Sequence, residues 1–194
     1  MSLKEIVFAT NNAHKLQEVR HHLKDYYRII SLDELGFDED IPEPYDTLEE
    51  NALAKTSFIH EKYSVDCFAD DTGLEVEALG GAPGVYSARY AGPQCSFEDN
   101  VKKLLEELDG KANRNAKFRT IISLILNGQP FSFEGQVSGV ITEMRSGIEG
   151  FGYDPIFQPI GTHKTFAQMS LDEKNHMSHR GRAVAKLVEF LRQV

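Results

Sequence analysis

Apolar residues along this 194-residue chain change their spacing several times, and each change marks an element. The run Ile6-Val7-Phe8-Ala9 reads as a buried strand, Leu16, Val19 and Leu23 then fall at helical spacing, and Arg28 to Ser31 reads as a second strand. Strand, helix and strand in that order predict a β-α-β opening with parallel strands. Gly36 to Asp46 carries acids, two prolines and no period, which predicts a loop. Thr47-Leu48-Glu49-Glu50 has the spacing of a capping box, in which Thr47 accepts from the first turn and Glu50 reaches back. The helix it opens puts Leu48, Ala52, Lys55 and Ile59 on one side and ends near Tyr63.

Cys67-Phe68-Ala69 predicts a short strand that stops at Asp70-Asp71-Thr72-Gly73, followed by an alternating run (Leu74, Val76, Ala78) and a turn from Gly80 to Gly84. Ser96-Phe97-Glu98-Asp99 opens a helix with Val101, Leu104, Leu105 and Leu108 inward and Gly110 as its stop. Ala116 to Leu126 and Phe131 to Ile141 are strands joined at Asn127-Gly128, a strong hairpin signal. Gly147 to Asp154 is a glycine-rich loop, Ser170 to Glu173 caps a short helix, and Ser178 begins the last helix, with Val184, Leu187, Val188 and Leu191 inward. Repeats, low-complexity tracts and linkers are absent. The prediction is an α/β fold with a mixed, partly antiparallel sheet flanked by helices, in one bilobal domain over residues 1–194.

Composition narrows the function. With 41% hydrophobic and 26% charged residues the chain can bury a core, and it has no apolar run approaching the roughly 18 residues of a membrane helix. The N-terminal residues lack a signal-peptide layout. Cys67 and Cys95 form neither a CxxC nor a zinc spacing and read as free thiols, so a cytoplasmic location is expected. Lys and Arg number 21 against 30 Asp and Glu, a formal charge of −9, which argues against long nucleic acid as a ligand. A small phosphorylated ligand remains open, because a few placed cations or a metal ion suffice to hold it. An acid-rich chain also favours a Mg²⁺ site.

Four segments could carry chemistry. Thr10-Asn11-Asn12-Ala13-His14-Lys15 lies where a strand feeds a helix N-terminus, whose free N–H groups and dipole suit phosphate; taken alone, the motif reads more simply as Asn12 capping the helix and Lys15 a solvated lysine. Glu43, Glu49, Glu50, Asp70 and Asp71 could supply Mg²⁺ ligands for attack at phosphorus, or act as caps and turn formers. In an extended segment Asp70 and Asp71 point to opposite sides, so one of them faces a given ligand. Gly150-Phe151-Gly152-Tyr153-Asp154-Pro155 could stack a ring on a base and offer a carboxylate to a ring N–H, or form a turn with its aromatics in the core. Lys174 and Ser178-His179-Arg180-Gly181 place cations at a helix start, against the dipole, which points to a function or, equally, to a solvated basic helix end. No Walker A, GxGxxG, HExxH or GxSxG motif occurs.

Taken together, these segments resemble the inosine triphosphatase-like family of purine nucleoside triphosphate pyrophosphatases (dITP/XTP pyrophosphatases) over nearly the whole chain. The resemblance also rests on Glu49 to Lys55, Ala69 to Leu74 and Gly81 to Gly92. It implies an elongated, two-lobed fold with the nucleotide in a central cleft, a homodimer, Mg²⁺ dependence, and cleavage of ITP, dITP or XTP to the monophosphate and pyrophosphate. By position it gives the phosphates to Thr10, Asn11, Asn12, Ala13, His14 and Lys15. Asp71 becomes metal ligand and proton acceptor for the attacking water, with Glu43 as second ligand. Thr72 lies beside the substrate, Phe151, Gly152, Tyr153, Asp154 and Lys174 hold the base, and His179 and Arg180 read its edge. Where the family often has Glu-Thr-Gly, Glu43 is followed by Pro44-Tyr45; Thr72 replaces a commoner serine and Leu48 a usual phenylalanine.

The base edge itself fits. Hypoxanthine and xanthine pair an O6 acceptor with an N1–H donor, the reverse of adenine, and donors on Lys174, His179 and Arg180 with an acceptor on Asp154 match it. Adenine would leave those groups unpaired, the strong route to rejection. Two alternatives stand beside this reading: a pyrophosphatase for other modified nucleotides, and a nucleotide sensor without catalysis.

Overall fold

The structure is a computed structural model that describes Leu3–Gln193. Strand β1 (Lys4–Phe8), helix α1 (Ala13–Leu23) and strand β2 (Tyr27–Ile30) form the predicted β-α-β opening. β1 and β2 are parallel, with Ile6 opposite Ile29 and Val7 opposite Ile30. A short helix α2 (Leu32–Leu35) follows, which the spacing of apolar residues does not reveal because a single turn is too short to show a period. Ser31 and Glu34 cap it reciprocally and Gly36 ends it in the left-handed region.

Helix α3 (Leu48–Tyr63) begins at Thr47, whose hydroxyl oxygen accepts from the Glu50 N–H. The expected return bond is replaced: the Glu50 carboxylate accepts a hydrogen bond from the Thr47 hydroxyl, not from the Thr47 backbone N–H. The larger difference is at strand β3, which runs unbroken from Cys67 to Val76. Asp70 and Asp71 are therefore strand residues and not turn formers. Strand β4 (Pro83–Gly84) pairs antiparallel with the far end of β3, at Leu74 and Glu75, and keeps that end extended. Ala78 falls outside the strand, in a turn of 3-10 helix.

Helix α4 (Phe97–Glu107) has a complete capping box, Ser96 with Asp99. Strands β5 (Asn115–Leu126) and β6 (Gln129–Ile141) are joined at Asn127 and Gly128, both at positive φ, as a two-residue hairpin turn requires. Strand β7 (Phe157–Pro159), helix α5 (Leu171–Met177) and helix α6 (His179–Leu191) complete the chain, with the capping box at Ser170 and Glu173 as expected. The sheet is seven-stranded and mixed, in the order β2-β1-β3-β5-β6-β7 with β4 on β3. No described helix is long and apolar enough to cross a membrane.

The chain divides into two compact units. The first takes the described residues of Met1–Asp71, Thr120–Gly135 and Arg180–Val194. It buries Phe8 stacked on Phe68, with centroids 4.6 Å apart, among Val19, Leu23, Ile122 and Leu187. A second cluster around Val7, Leu32, Phe37 and Ile59 belongs to the same unit. The second unit takes Thr72–Arg119 and Gln136–His179, with Leu74, Leu104, Phe118, Phe157 and Phe166 in its core.

Candidate active site

In the first unit the site grows from the parallel pairing of β1 with β3. Phe8 lies opposite Phe68, and the Ala9 N–H donates to the Phe68 carbonyl at 2.8 Å. Two residues further on, β3 presents Asp70 and Asp71 beside the turn that leaves the carboxyl end of β1. Ligands of open α/β sheets collect at that end of the strands. Thr10 opens the turn and its hydroxyl accepts from the Asn12 N–H. Asn12 is the N-cap of α1, accepting from His14 and Lys15 N–H at 3.0 and 3.1 Å. Asn11 is exposed and donates to the Glu39 carbonyl, and Ala13 and His14 form the exposed start of the helix. The cap and the candidate phosphate loop are thus one feature.

The two aspartates take different cations, as an extended backbone demands. Asp70 lies 3.1 Å from Lys15 Nζ and accepts from Arg180 Nε at 3.2 Å. Asp71 accepts from Lys55 Nζ at 3.2 Å, and Glu43 binds the same ammonium. Burial disfavours ionised Asp70, yet Lys15, Arg180 and Lys55 more than offset it and hold its carboxyl well below the usual range. At Asp71 burial prevails over Lys55 and Lys15, and Glu43 adds to it, so its carboxyl is pushed up. Burial also lowers the Lys15 ammonium. For Lys55 burial acts the same way, but Asp71 and Glu43 overcome it and raise the ammonium.

Three residues of this cluster were not singled out from the sequence. Glu18 is 5% exposed and ion-paired with Arg180, giving the alternating chain Glu18–Arg180–Asp70–Lys15. A buried guanidinium needs such compensation, and it binds Arg180, expected at the base's edge, into the first unit. Lys55 stands on the inward side of α3 beside Ala52 and Ile59. Asn51, one turn earlier, clamps the backbone of Tyr45 through both amide atoms, at 3.0 Å each, and so fixes the loop that carries Glu43. The signal for Lys55 and Glu18 was present: each is a charged residue within an apolar helix face.

Glu43 and Asp71 are hard oxygen donors that already hold one cation between them, the Lys55 ammonium. This donor set fits Mg²⁺, which takes one or two protein carboxylates and completes its shell with phosphate oxygens and water. Among the described residues no group of three or more His, Cys, Asp or Glu is placed to hold a metal ion by itself.

In the second unit, Asp154 Oδ2 accepts from the Phe151 N–H at 2.8 Å and from Lys174 Nζ at 2.6 Å. The ammonium lies 5.0 Å from the centre of the Phe151 ring, within cation–π range. Gly150 is required here: its φ is +74°, and a Cβ would stand 2.0 Å from Asp154 Oδ2. Gly152 also adopts positive φ. The Tyr153 ring belongs to the core and its hydroxyl donates to the Ser87 carbonyl. His179 is buried with its ring stacked on Phe118, 4.5 Å between centroids. Thr72 is the first residue of this unit and is half-buried.

The Ham1 family model matches residues 6–190. The chain is 52% identical over 188 residues to a dITP/XTP pyrophosphatase of Flavobacterium psychrophilum, covering 97% of this chain and 99% of that one. It is 52% identical over 190 residues to a dITP/XTP pyrophosphatase of Porphyromonas gingivalis, covering 97% and 98%. Among solved structures, the Staphylococcus aureus Ham1 protein aligns with a TM-score of 0.88 at 42% identity, covering 98% of this chain and 99% of that chain. A HAM1 protein from Coxiella burnetii aligns with a TM-score of 0.90 at 36% identity, covering 99% and 100%. With the match running through both units and every segment described above, the chain belongs to the Ham1 family.

Proposed function

We propose that the chain is a Mg²⁺-dependent hydrolase that converts ITP, dITP and XTP to the monophosphate and pyrophosphate, clearing non-standard purines from the nucleotide pool. The observation that carries this reading is the division of labour at β3, where Asp70 secures Lys15 and Asp71 joins Glu43 around a cation position. The activity named for the relatives supports it, and so does the family match across both units, which favours their acting as one catalytic domain.

In this reading the N–H groups and side chains of Thr10 to Lys15 hold the polyphosphate, and the Lys15 ammonium balances charge that moves onto the leaving pyrophosphate. Asp71 would orient the water that attacks the α-phosphorus and accept its proton, with Glu43 as the second carboxylate for the metal. Bound Mg²⁺ supplies neutralisation of the phosphate oxygens. Thr72 adjoins the substrate. Lys174 and Asp154 provide the donor and acceptor for the base edge, with Phe151 and the backbone of Gly152 and Tyr153 around them and His179 nearby in sequence. Arg180 reads the base's edge together with His179, its guanidinium braced by Glu18 and Asp70. The free thiols Cys67 and Cys95 support a cytoplasmic setting, and the family resemblance supports a homodimer.

The test is pyrophosphate release from ITP, dITP, XTP, ATP and GTP, with and without Mg²⁺. The reading expects turnover of the first three to exceed that of ATP by orders of magnitude and to need the metal. Binding without turnover would point to a sensor, and preference for a modified pyrimidine to a different substrate class.

A further inference from the structure

We propose that Lys55 is an internal counter-ion that competes with the divalent metal for Glu43 and Asp71, so that metal and polyphosphate can only bind well together. The inference rests on the reading of Glu43 and Asp71 as the metal's ligands and adds what their shared lysine does. Its ammonium is within hydrogen-bonding reach of one oxygen on each of these carboxylates. A divalent ion on the same oxygens would face a positive charge a few ångströms away, in surroundings where water screens little.

Lys55 has little freedom to withdraw. Its side chain is 8% exposed, so a displaced ammonium would stay buried. Asp70, the other nearby carboxylate, is already shared by Lys15 and Arg180. The site is also rigidly built: Lys55 and the Asn51 clamp on the Glu43 loop stand one turn apart on α3. The missing partner must then arrive with the ligand. A polyphosphate brings several negative oxygens, and the ammonium can pass to them as the carboxylates turn to the metal. A metal ion alone offers nothing in exchange.

Free Mn²⁺ can be followed by electron paramagnetic resonance while it is titrated with the whole protein, nucleotide-free, as wild type, Lys55→Met and Lys55→Arg. The expected result is at least tenfold tighter Mn²⁺ binding by Lys55→Met than by wild type, with Lys55→Arg remaining weak because it keeps the charge. Inorganic tripolyphosphate should tighten Mn²⁺ binding to wild type beyond its complexation in solution, and this gain should shrink in Lys55→Met. Equal or weaker Mn²⁺ binding by a Lys55→Met protein with the wild-type circular dichroism spectrum overturns the proposal. If that variant does not fold, Lys55→Gln decides by the same comparison. Wild type that binds Mn²⁺ equally well with and without tripolyphosphate overturns it as well. Absence of Mn²⁺ binding in every protein, tripolyphosphate included, would instead remove the metal reading itself, and the proposal with it.

Discussion

Replacing Glu18 by Gln tests whether the alternating charge chain holds together the side of the site proposed to bind phosphate. The substitution keeps size and shape and removes one of the two carboxylates on Arg180, whose side chain is 3% exposed against 6% for Glu18. Removing one partner of a buried pair costs about 3–5 kcal/mol, because the other charge stays buried without compensation. Asp70 remains on the guanidinium, which puts the expected loss at the lower end, about 3 kcal/mol. For a chain of this length each kcal/mol moves the Tm by roughly 2–4 °C, so the variant should melt roughly 6–12 °C lower. Asp70, drawn further toward Arg180, should loosen from Lys15 and raise KM for the triphosphate more than it lowers kcat. Thermal unfolding followed by circular dichroism and steady-state kinetics read the two effects. Glu39→Gln is the control: its partner Lys62 is solvent-exposed, and exposed pairs contribute about 0–1 kcal/mol. A Glu18→Gln melting point that matches this control's would refute the reasoning.

Three further outcomes are expected. Asp71→Asn should abolish turnover while a non-hydrolysable ITP analogue still binds in calorimetry; near-normal turnover would take Asp71 out of the mechanism. Gly150→Ala puts a methyl group where Asp154 Oδ2 stands and forces alanine to positive φ, so Asp154 should leave Lys174 and the preference for ITP over ATP in kcat/KM should fall at least tenfold; an unchanged ratio would show that Asp154 does not read the base. Asp70 has a folded-state carboxyl well below its unfolded value, so its stabilising contribution is complete at neutral pH and is lost as pH falls below the usual carboxylate range. Asp70→Asn should therefore flatten the acid side of the Tm–pH curve, and parallel curves for the two proteins would contradict this.

The elements whose readings hold are those with local causes. The β-α-β opening follows from apolar spacing, the hairpin from Asn127-Gly128, and α5 from its Ser170–Glu173 cap; each is decided within a few residues. The missed α2 is too short for periodicity, and at Thr47 the hydroxyl, not the backbone N–H, answers Glu50. For the site, the residue types and their order were legible, including the opposite facing of Asp70 and Asp71. The partnerships were not: Lys55 and Glu18 could be seen as charges on apolar helix faces, without any indication of what they meet.

The amino-acid order by itself determined the kinds of element, their succession, and a set of acids, amides and lysines suited to a polyphosphate and a hard cation. Only the tertiary structure decided that β3 continues through Asp70 and Asp71, because β4 pairs with its far end. It also decided that Arg180, remote in sequence from both, is held by Glu18 and Asp70. The physical reason is that both outcomes are settled by partners met in space: a strand end stays extended where a second strand hydrogen-bonds to it, and a buried charge takes whichever opposite charge the packed strands and helices bring within reach.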